Sequence, residues 1–375
     1  MARGQGTNIE VKKNNRNRIF RYICKCEKVS NPDISYELKM SLPTVTQNTK
    51  ELMERGLIEE VGELQSTGGR RAKGLSVIAD AKLAVGLDIT RNHIALVLTN
   101  LVGTILKYER FSQTYRMEEA YYQEVNRKLE QFLEESGVAR EKILGVGISF
   151  PGIVNLEKKV IAYSHVLGVE SLPFDEISRF FAYPCYFLND ANAGAYAEGI
   201  QMETPERFFY LSLSNTVGGA IFDEHELVQG KNFRCGEVGH MTIVSGGEPC
   251  YCGKQGCLDV YCSAKRLSDA AGGKLEHFFN SLNQGEKEAQ KLWDQYTTYL
   301  ASAVNNIHMV LDCDIILGGY VGSYIENYLQ DVRDKVSKRN TFSEDGTFVK
   351  ACSYKVGAAA LGAARNVIEN FTEQV

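Results

Sequence analysis

Gly236-Glu-Val-Gly-His240 and Pro249-Cys-Tyr-Cys-Gly-Lys-Gln-Gly-Cys-Leu-Asp259 decide how this chain is read. One imidazole, His240, and three thiols, Cys250, Cys252 and Cys257, fall in the spacing His-x9-Cys-x-Cys-x4-Cys. One nitrogen and three sulfur donors suit tetrahedral zinc, Zn2+. Four protein donors leave no position for an activated water, so the ion is expected to be structural, pinning a glycine-rich loop with little apolar content of its own. Zinc hydrolase chemistry is correspondingly a poor reading. The chain holds ten cysteines, too few for a disulfide scaffold at this length, and reduced thiols around a metal fit a reducing compartment.

The chain has 375 residues, 44% of them hydrophobic and 24% charged, with 34 Gly and 7 Pro. Wholesale disorder and collagen-like structure are excluded, and two or three domains are expected. No apolar run approaches the roughly 20 residues needed to cross a bilayer. The polar start Met1-Ala-Arg-Gly-Gln-Gly-Thr7 lacks the apolar stretch of a secretion signal, so a cytoplasmic protein with no membrane partner is expected. The net charge of −5 is unevenly spread: residues 1–80 hold 14 Lys and Arg against 10 Asp and Glu, and the remainder 28 against 37. A head suited to a polyanion precedes an acidic body.

Upstream of the cysteine loop, Leu83–Ile89, His93–Thr99 and Gly103–Glu109 read as a β-meander. A helix over 117–136 and the buried strand Ile143–Phe150 follow, then the turn Pro151-Gly-Ile-Val-Asn155. Phe208–Ser214 and Gly218–Phe222 repeat the opening theme, and a helix over 284–311 leads into Cys313-Asp-Ile-Ile-Leu-Gly-Gly319. The duplication predicts two α/β lobes facing across a cleft, with ligand at the carboxyl ends of strands. Asn189-Asp190 follows the apolar Tyr186-Phe-Leu188 and precedes the small-residue helix Ala191–Ala197, which puts the pair at such an end. Glu237 and His240, three residues apart beside Gly236 and Gly239, are able to face one pocket.

Glu-x-x-Gly-His followed by Cys-x-Cys-Gly-x-x-Gly-Cys-Leu-Asp resembles the signature of the ROK family, which groups bacterial sugar kinases with sugar-responsive repressors of the xylose-repressor type. Leu188-Asn-Asp-Ala-Asn-Ala193, Pro151-Gly152, Leu317-Gly-Gly-Tyr320 and Gly357-Ala-Ala-Ala-Leu-Gly-Ala363 match it as well, so the likeness runs from about residue 83 to the C-terminus. The resemblance implies an actin-like, ribonuclease-H-like pair of lobes with sugar between them. It assigns Asn189, Asp190, Glu237, His240 and Asp259 to sugar hydroxyls and Gly152 to a backbone contact. Asp259 departs from the family pattern, which usually has Glu there. The expected divisions are a head over 1–80, a first lobe over 81–190 with a C-terminal helix of about 360–375 packing back on it, and a second lobe over 191–359 carrying the metal loop 236–262.

The head reads as a winged helix-turn-helix. Ile19, Tyr22 and Ile23 mark one face of a basic first helix, Asn31-Pro-Asp-Ile-Ser-Tyr-Glu-Leu38 opens a short second helix, and Ser41 caps a third whose first turn tolerates Pro43. On the third helix Leu42, Val45, Thr49, Leu52 and Met53 share the inner face, while Thr44, Gln47, Lys50 and Glu51 project outward. Leu57–Gly62 and Leu75–Ile78 flank a wing containing Arg70 and Arg71. Thr44, Gln47 and Lys50 are expected in the major groove of double-stranded operator DNA, with Arg70 and Arg71 in the minor groove. Operators read by paired heads are usually palindromic, so a homodimer or higher homo-oligomer is expected.

A kinase of this family needs Asp-x-Gly-Gly-Thr at the first hairpin, because glycines let backbone N–H groups reach the phosphates. This chain has Asp88-Ile-Thr-Arg-Asn-His93, and the second loop, usually Gly-Thr-Gly-Ile-Gly-Gly, reads Ser214-Asn-Thr-Val-Gly-Gly219. Asp190 stands at the catalytic-base position, but a base without a positioned γ-phosphate has nothing to transfer. The sequence therefore predicts a non-enzymatic, sugar-responsive repressor of carbohydrate-utilisation genes. A sugar kinase with a regulatory head is the alternative.

Overall fold

The computed structural model of the chain describes residues 8–63, 73–199, 207–223 and 226–375. The head comprises helices α1 (Asn8–Lys25), α2 (Asn31–Glu37) and α3 (Leu42–Glu54) and a hairpin of β1 (Ile58–Glu63) and β2 (Lys73–Val77). Ser30 caps α2 in a reciprocal box with Asp33, and Ser41 caps α3 by accepting from the Thr44 amide. Gly56, at φ +67°, lets the chain leave α3 for β1.

Two five-stranded sheets form the body. The first is built from β3 (Leu83–Ile89), β4 (His93–Asn100), β5 (Ile105–Ser112), β6 (Ile143–Phe150) and β10 (Cys185–Asn189), in the order β10-β6-β3-β4-β5. Its meander β3-β4-β5 is antiparallel, while β6 and β10 join in parallel after α4 (Glu119–Ser136) and a small sheet of β7 (Ile153–Asn155), β8 (Val160–Ser164) and β9 (Val169–Pro173) followed by α5 (Asp175–Ser178). Helix α6 (Asp190–Gly199) leads to the second sheet, β13-β12-β11-β14-β15. Here β11 (Phe208–Leu213), β12 (Val217–Asp223) and β13 (Glu226–Val228) are the antiparallel meander, and β14 (Asp314–Gly318) and β15 (Val349–Ala351) run parallel to β11. Between them come α7 (Leu258–Cys262), α8 (Ala264–Asp269), α9 (Leu275–Asn283), α10 (Lys287–Leu311), α11 (Gly319–Ile325) and α12 (Leu329–Ser337), with α13 (Ala358–Thr372) closing the order. The repeated meander and parallel strands are the duplication expected from the sequence. Elements start slightly later than predicted at two helices, Glu119 against 117 and Lys287 against 284.

The outer face of the first sheet packs Leu83, Val85, Leu87 and Ile148 against Val125, Leu129 and Phe132 of α4. Its inner face receives α13, which also packs on α6. The fit is tight enough that a Cβ on Gly147 would stand 1.9 Å from the Ala363 carbonyl oxygen, so only glycine allows this approach. The head is not a detached module: Ile19, Phe20, Ile23, Val45 and Leu75 share one apolar cluster with Ala84, Ala364, Val367 and Ile368 of the body.

Polar contacts continue that junction. Arg16 Nε donates to the Val375 carbonyl oxygen, as does Arg55 at 2.7 Å, and Asn17 Nδ2 donates to the Glu373 carbonyl at 2.9 Å. Arg21 pairs with Glu369.

Two details of α3 correct the sequence reading. Leu42 is 46% exposed instead of buried, and Asn48 takes the inward place, donating to the Thr44 carbonyl at 2.8 Å. Glu51 does not project outward but is held back on α1 by Lys12 and Arg16, at 2.5 and 2.7 Å.

Candidate functional site

The donor atoms of His240, Cys250, Cys252 and Cys257 all lie within 4.8 Å of one another. Cys252 and Cys257 Sγ are 3.7 Å apart, against about 3.8 Å for the edge of a tetrahedron with metal–sulfur bonds of about 2.3 Å. The loop is folded for this by short-range bonds: the Cys250 amide donates to Lys254 O at 2.7 Å, Gly253 to Cys250 O at 3.0 Å, and Ile243 and Val244 to Gly256 O. Cys250 and Cys257 are buried, His240 and Cys252 exposed. The four residues could hold a metal ion.

At the cleft, β10 ends on Asn189 and α6 begins on Asp190. Asn189 Nδ2 donates to the Gly152 carbonyl at 2.8 Å, while its Oδ1 accepts from the amides of Ala191 and Asn192 at 2.8 and 3.1 Å. The side chain thus ties the β6–β7 turn to the start of α6 and keeps one N–H free for a ligand. Gly152 sits at φ +133°, and a Cβ there would meet Tyr163 O at 2.3 Å.

Burial pushes Asp190 up to about 7, with the carboxylates of Asp88 and then Glu237 adding to the effect. Asp88, which accepts from Ser149 Oγ at 2.8 Å, is pushed up to about 6, again by burial. Glu237 is raised for the same reason. These acids form one electrostatic group, able to accept from vicinal hydroxyls when ionised or to donate when protonated. A cavity of about 10 Å³ lined by Phe187, Asn189, Asn192, Phe233 and Glu237 separates the lobes here.

Asp259 is held within the second lobe. Its Oδ2 accepts from the Val217 amide at 2.6 Å, which anchors the loop Ser214–Gly219 to the start of α7, and it is only 5% exposed. The first hairpin is likewise closed on itself: Thr90 N and Oγ1 both donate to His93 O at 2.9 Å, and Thr90 Oγ1 accepts from His93 N at 3.1 Å.

On the head, Gln47 and Lys50 are exposed and Thr44 is half-buried, its hydroxyl 2.8 Å from the cap Ser41 Oγ. Arg70 and Arg71 lie outside the described residues. Gly152, Asn189, Asp190 and Glu237 come together at the cleft, and His240 joins the cysteines. Sequence reasoning did not single out Ser149, the one hydroxyl in an apolar strand, or Tyr251, which sits between two of the thiols.

A two-lobed body with a sugar-kinase-like cleft, joined to a winged helix, defines the class. Residues 84–370 match the profile of the ROK family and residues 13–59 that of a winged helix-turn-helix DNA-binding domain. The chain belongs to the ROK family and carries a winged helix-turn-helix head. It is 26% identical over 382 residues to the xylose repressor of Bacillus subtilis (strain 168), covering 97% of each chain. A solved ROK family transcriptional regulator, a homologue of the Escherichia coli MLC protein, is similar with a TM-score of 0.79 at 20% identity over 97% of both chains. A ROK hexokinase from Thermus thermophilus is similar with a TM-score of 0.64 at 24% identity, over 78% of this chain and 99% of that one. Among the described residues no helix is long and apolar enough to cross a membrane.

Proposed function

We propose that this protein is a sugar-responsive transcriptional repressor of carbohydrate-utilisation genes, acting in the cytoplasm as a homodimer or higher homo-oligomer. The divisions 1–80, 81–190 with the last helix, and 191–359 are its DNA-binding head and two lobes. Thr44, Gln47 and Lys50 read operator DNA, with Arg70 and Arg71 contributing from the wing. Sugar binds between the lobes at Gly152, Asn189, Asp190, Glu237 and His240, with Asp259 acting through the loop it anchors. Zn2+ on His240, Cys250, Cys252 and Cys257 holds the 236–262 loop in shape; with four protein donors it is structural.

One observation carries the non-enzymatic reading: Thr90 and Arg91 stand where a kinase of this family has its glycine pair, and Thr90 spends its amide and hydroxyl on His93 within the hairpin. The likeness to a hexokinase favours the second reading, a sugar kinase under a regulatory head. Coupled ADP release with D-xylose, D-glucose and N-acetyl-D-glucosamine separates the two. Turnover at an ordinary enzymatic rate, of order 1 s⁻¹ or faster, would establish the kinase. Absence of turnover, together with salt-dependent binding of duplex from its own promoter region, is the repressor's result.

A further inference from the structure

His165 and Tyr251 face each other across the lobes. His165 stands on the turn between β8 and β9 of the first lobe, and Tyr251 lies in the metal loop of the second. Their rings stack with centroids 4.3 Å apart and planes 13° from parallel. The segments that carry the two rings are braced. The His165 turn is closed by the Leu167 amide donating to Ser164 Oγ at 3.2 Å and by Gly168 N donating to His165 O at 3.3 Å. Arg91 buttresses it by donating to Val166 O at 2.8 Å. Arg91 occupies the hairpin where a phosphate-binding turn would need glycine, so the rebuilt hairpin now supports this turn. On the other side Tyr251 meets His240 edge to face, centroids 5.5 Å apart, and its hydroxyl lies against the Asp259 carboxylate.

We propose that His165 and Tyr251 are an interlobe clasp that positions the sugar-binding groups by holding the lobes together. This rests on the sugar-binding reading above. The sugar-binding groups come from both lobes, Asn189 from the end of β10 and Glu237 from the loop after β13, so they act on one ligand only while the lobes are held together. Any contact made only in the closed state raises apparent affinity by enlarging the closed fraction. The stack joins the two lobes, so parting them would break it. His165 and Tyr251 need not touch the sugar; they set how readily Asn189 and Asp190 on one lobe meet Glu237 and His240 on the other.

The test is titration calorimetry of D-xylose, D-glucose and N-acetyl-D-glucosamine into the full chain, with metal content measured for every variant. His165→Ala and Tyr251→Ala should each weaken the sugar that binds by roughly three- to tenfold, the scale of one aromatic pair. The double variant should lose no more than either single one, because both remove the same contact. Tyr251→Phe, which keeps the ring, should recover most of the affinity lost in Tyr251→Ala. Because His165 is not one of the four donors, its variant at unchanged metal content remains decisive even where Tyr251→Ala loosens the metal. Wild-type affinity in His165→Ala, or additive losses in the double variant, would overturn the clasp while leaving sugar binding intact. Failure of all three sugars to bind the wild-type chain would overturn the sugar reading and the clasp with it.

Discussion

Asp190 is the residue whose environment has the clearest thermodynamic consequence. Folded, it keeps its proton up to about pH 7; unfolded, it releases it near pH 4. Between those values the folded state binds the extra proton, so this group's contribution to stability is present at low pH and is lost as pH rises toward 7. Asp190→Asn should flatten that decline, leaving the variant on the order of 4 kcal/mol more stable relative to wild type at pH 8 than at pH 4 in chemical denaturation. An unchanged difference across pH would remove the buried acid from the account. Cys250→Ser should release the bound metal, measured by mass spectrometry, and lower stability by about 2 kcal/mol or more; full retention of metal would refute the ligand set. The cluster that could hold a metal was legible in the sequence because all four side chains fall within 18 residues and the loop joining them is local. Asp259 was not, because its partner, the Val217 amide, is 42 residues away. The same holds for Glu51: a helical wheel places it outward, and only the packing of α1 across α3 brings Lys12 and Arg16 onto it.

At the scale of elements, the strands and long helices followed from period and composition, since β-branched runs and 3.6-residue spacing report burial directly. Leu83–Ile89 and Ile143–Phe150 are found at the residues expected. The small sheet β7-β8-β9 was not read, because its strands are only three to five residues long and too short to display a period. On the recognition helix, Gln47 is exposed while Val45, Asn48 and Thr49 are buried. Gln47→Ala should therefore cost about 1–3 kcal/mol of discrimination between operator and mutated operator, leaving nonspecific binding nearly unchanged. An unchanged specificity ratio in competition assays would move base reading away from α3. Lys50→Ala should instead weaken all duplexes alike and lower the slope of affinity against salt by about 1.

For the molecule as a whole, α13 is the element that touches everything relevant. It packs on β3 and β6, lies along α6 whose first residue is Asp190, and brings Glu369, and Glu373 just past its end, to Arg21 of the head. Contiguous packing through α6 and α13 therefore connects the cleft to the winged helix. Removing the Arg55 contact to Val375 O, by Arg55→Ala, should reduce the effect of sugar on operator affinity more than it reduces operator affinity itself. Allosteric coupling of this kind is typically worth about 1–3 kcal/mol. The most direct measurement is fluorescence anisotropy of a labelled duplex from the chain's own promoter region, titrated with the full protein at several concentrations of the sugar that calorimetry identifies. The account predicts that operator affinity shifts by about 5- to 150-fold between no sugar and saturating sugar, and that operator DNA shifts the sugar's affinity by the same factor. Operator binding indifferent to every sugar the protein binds would contradict it.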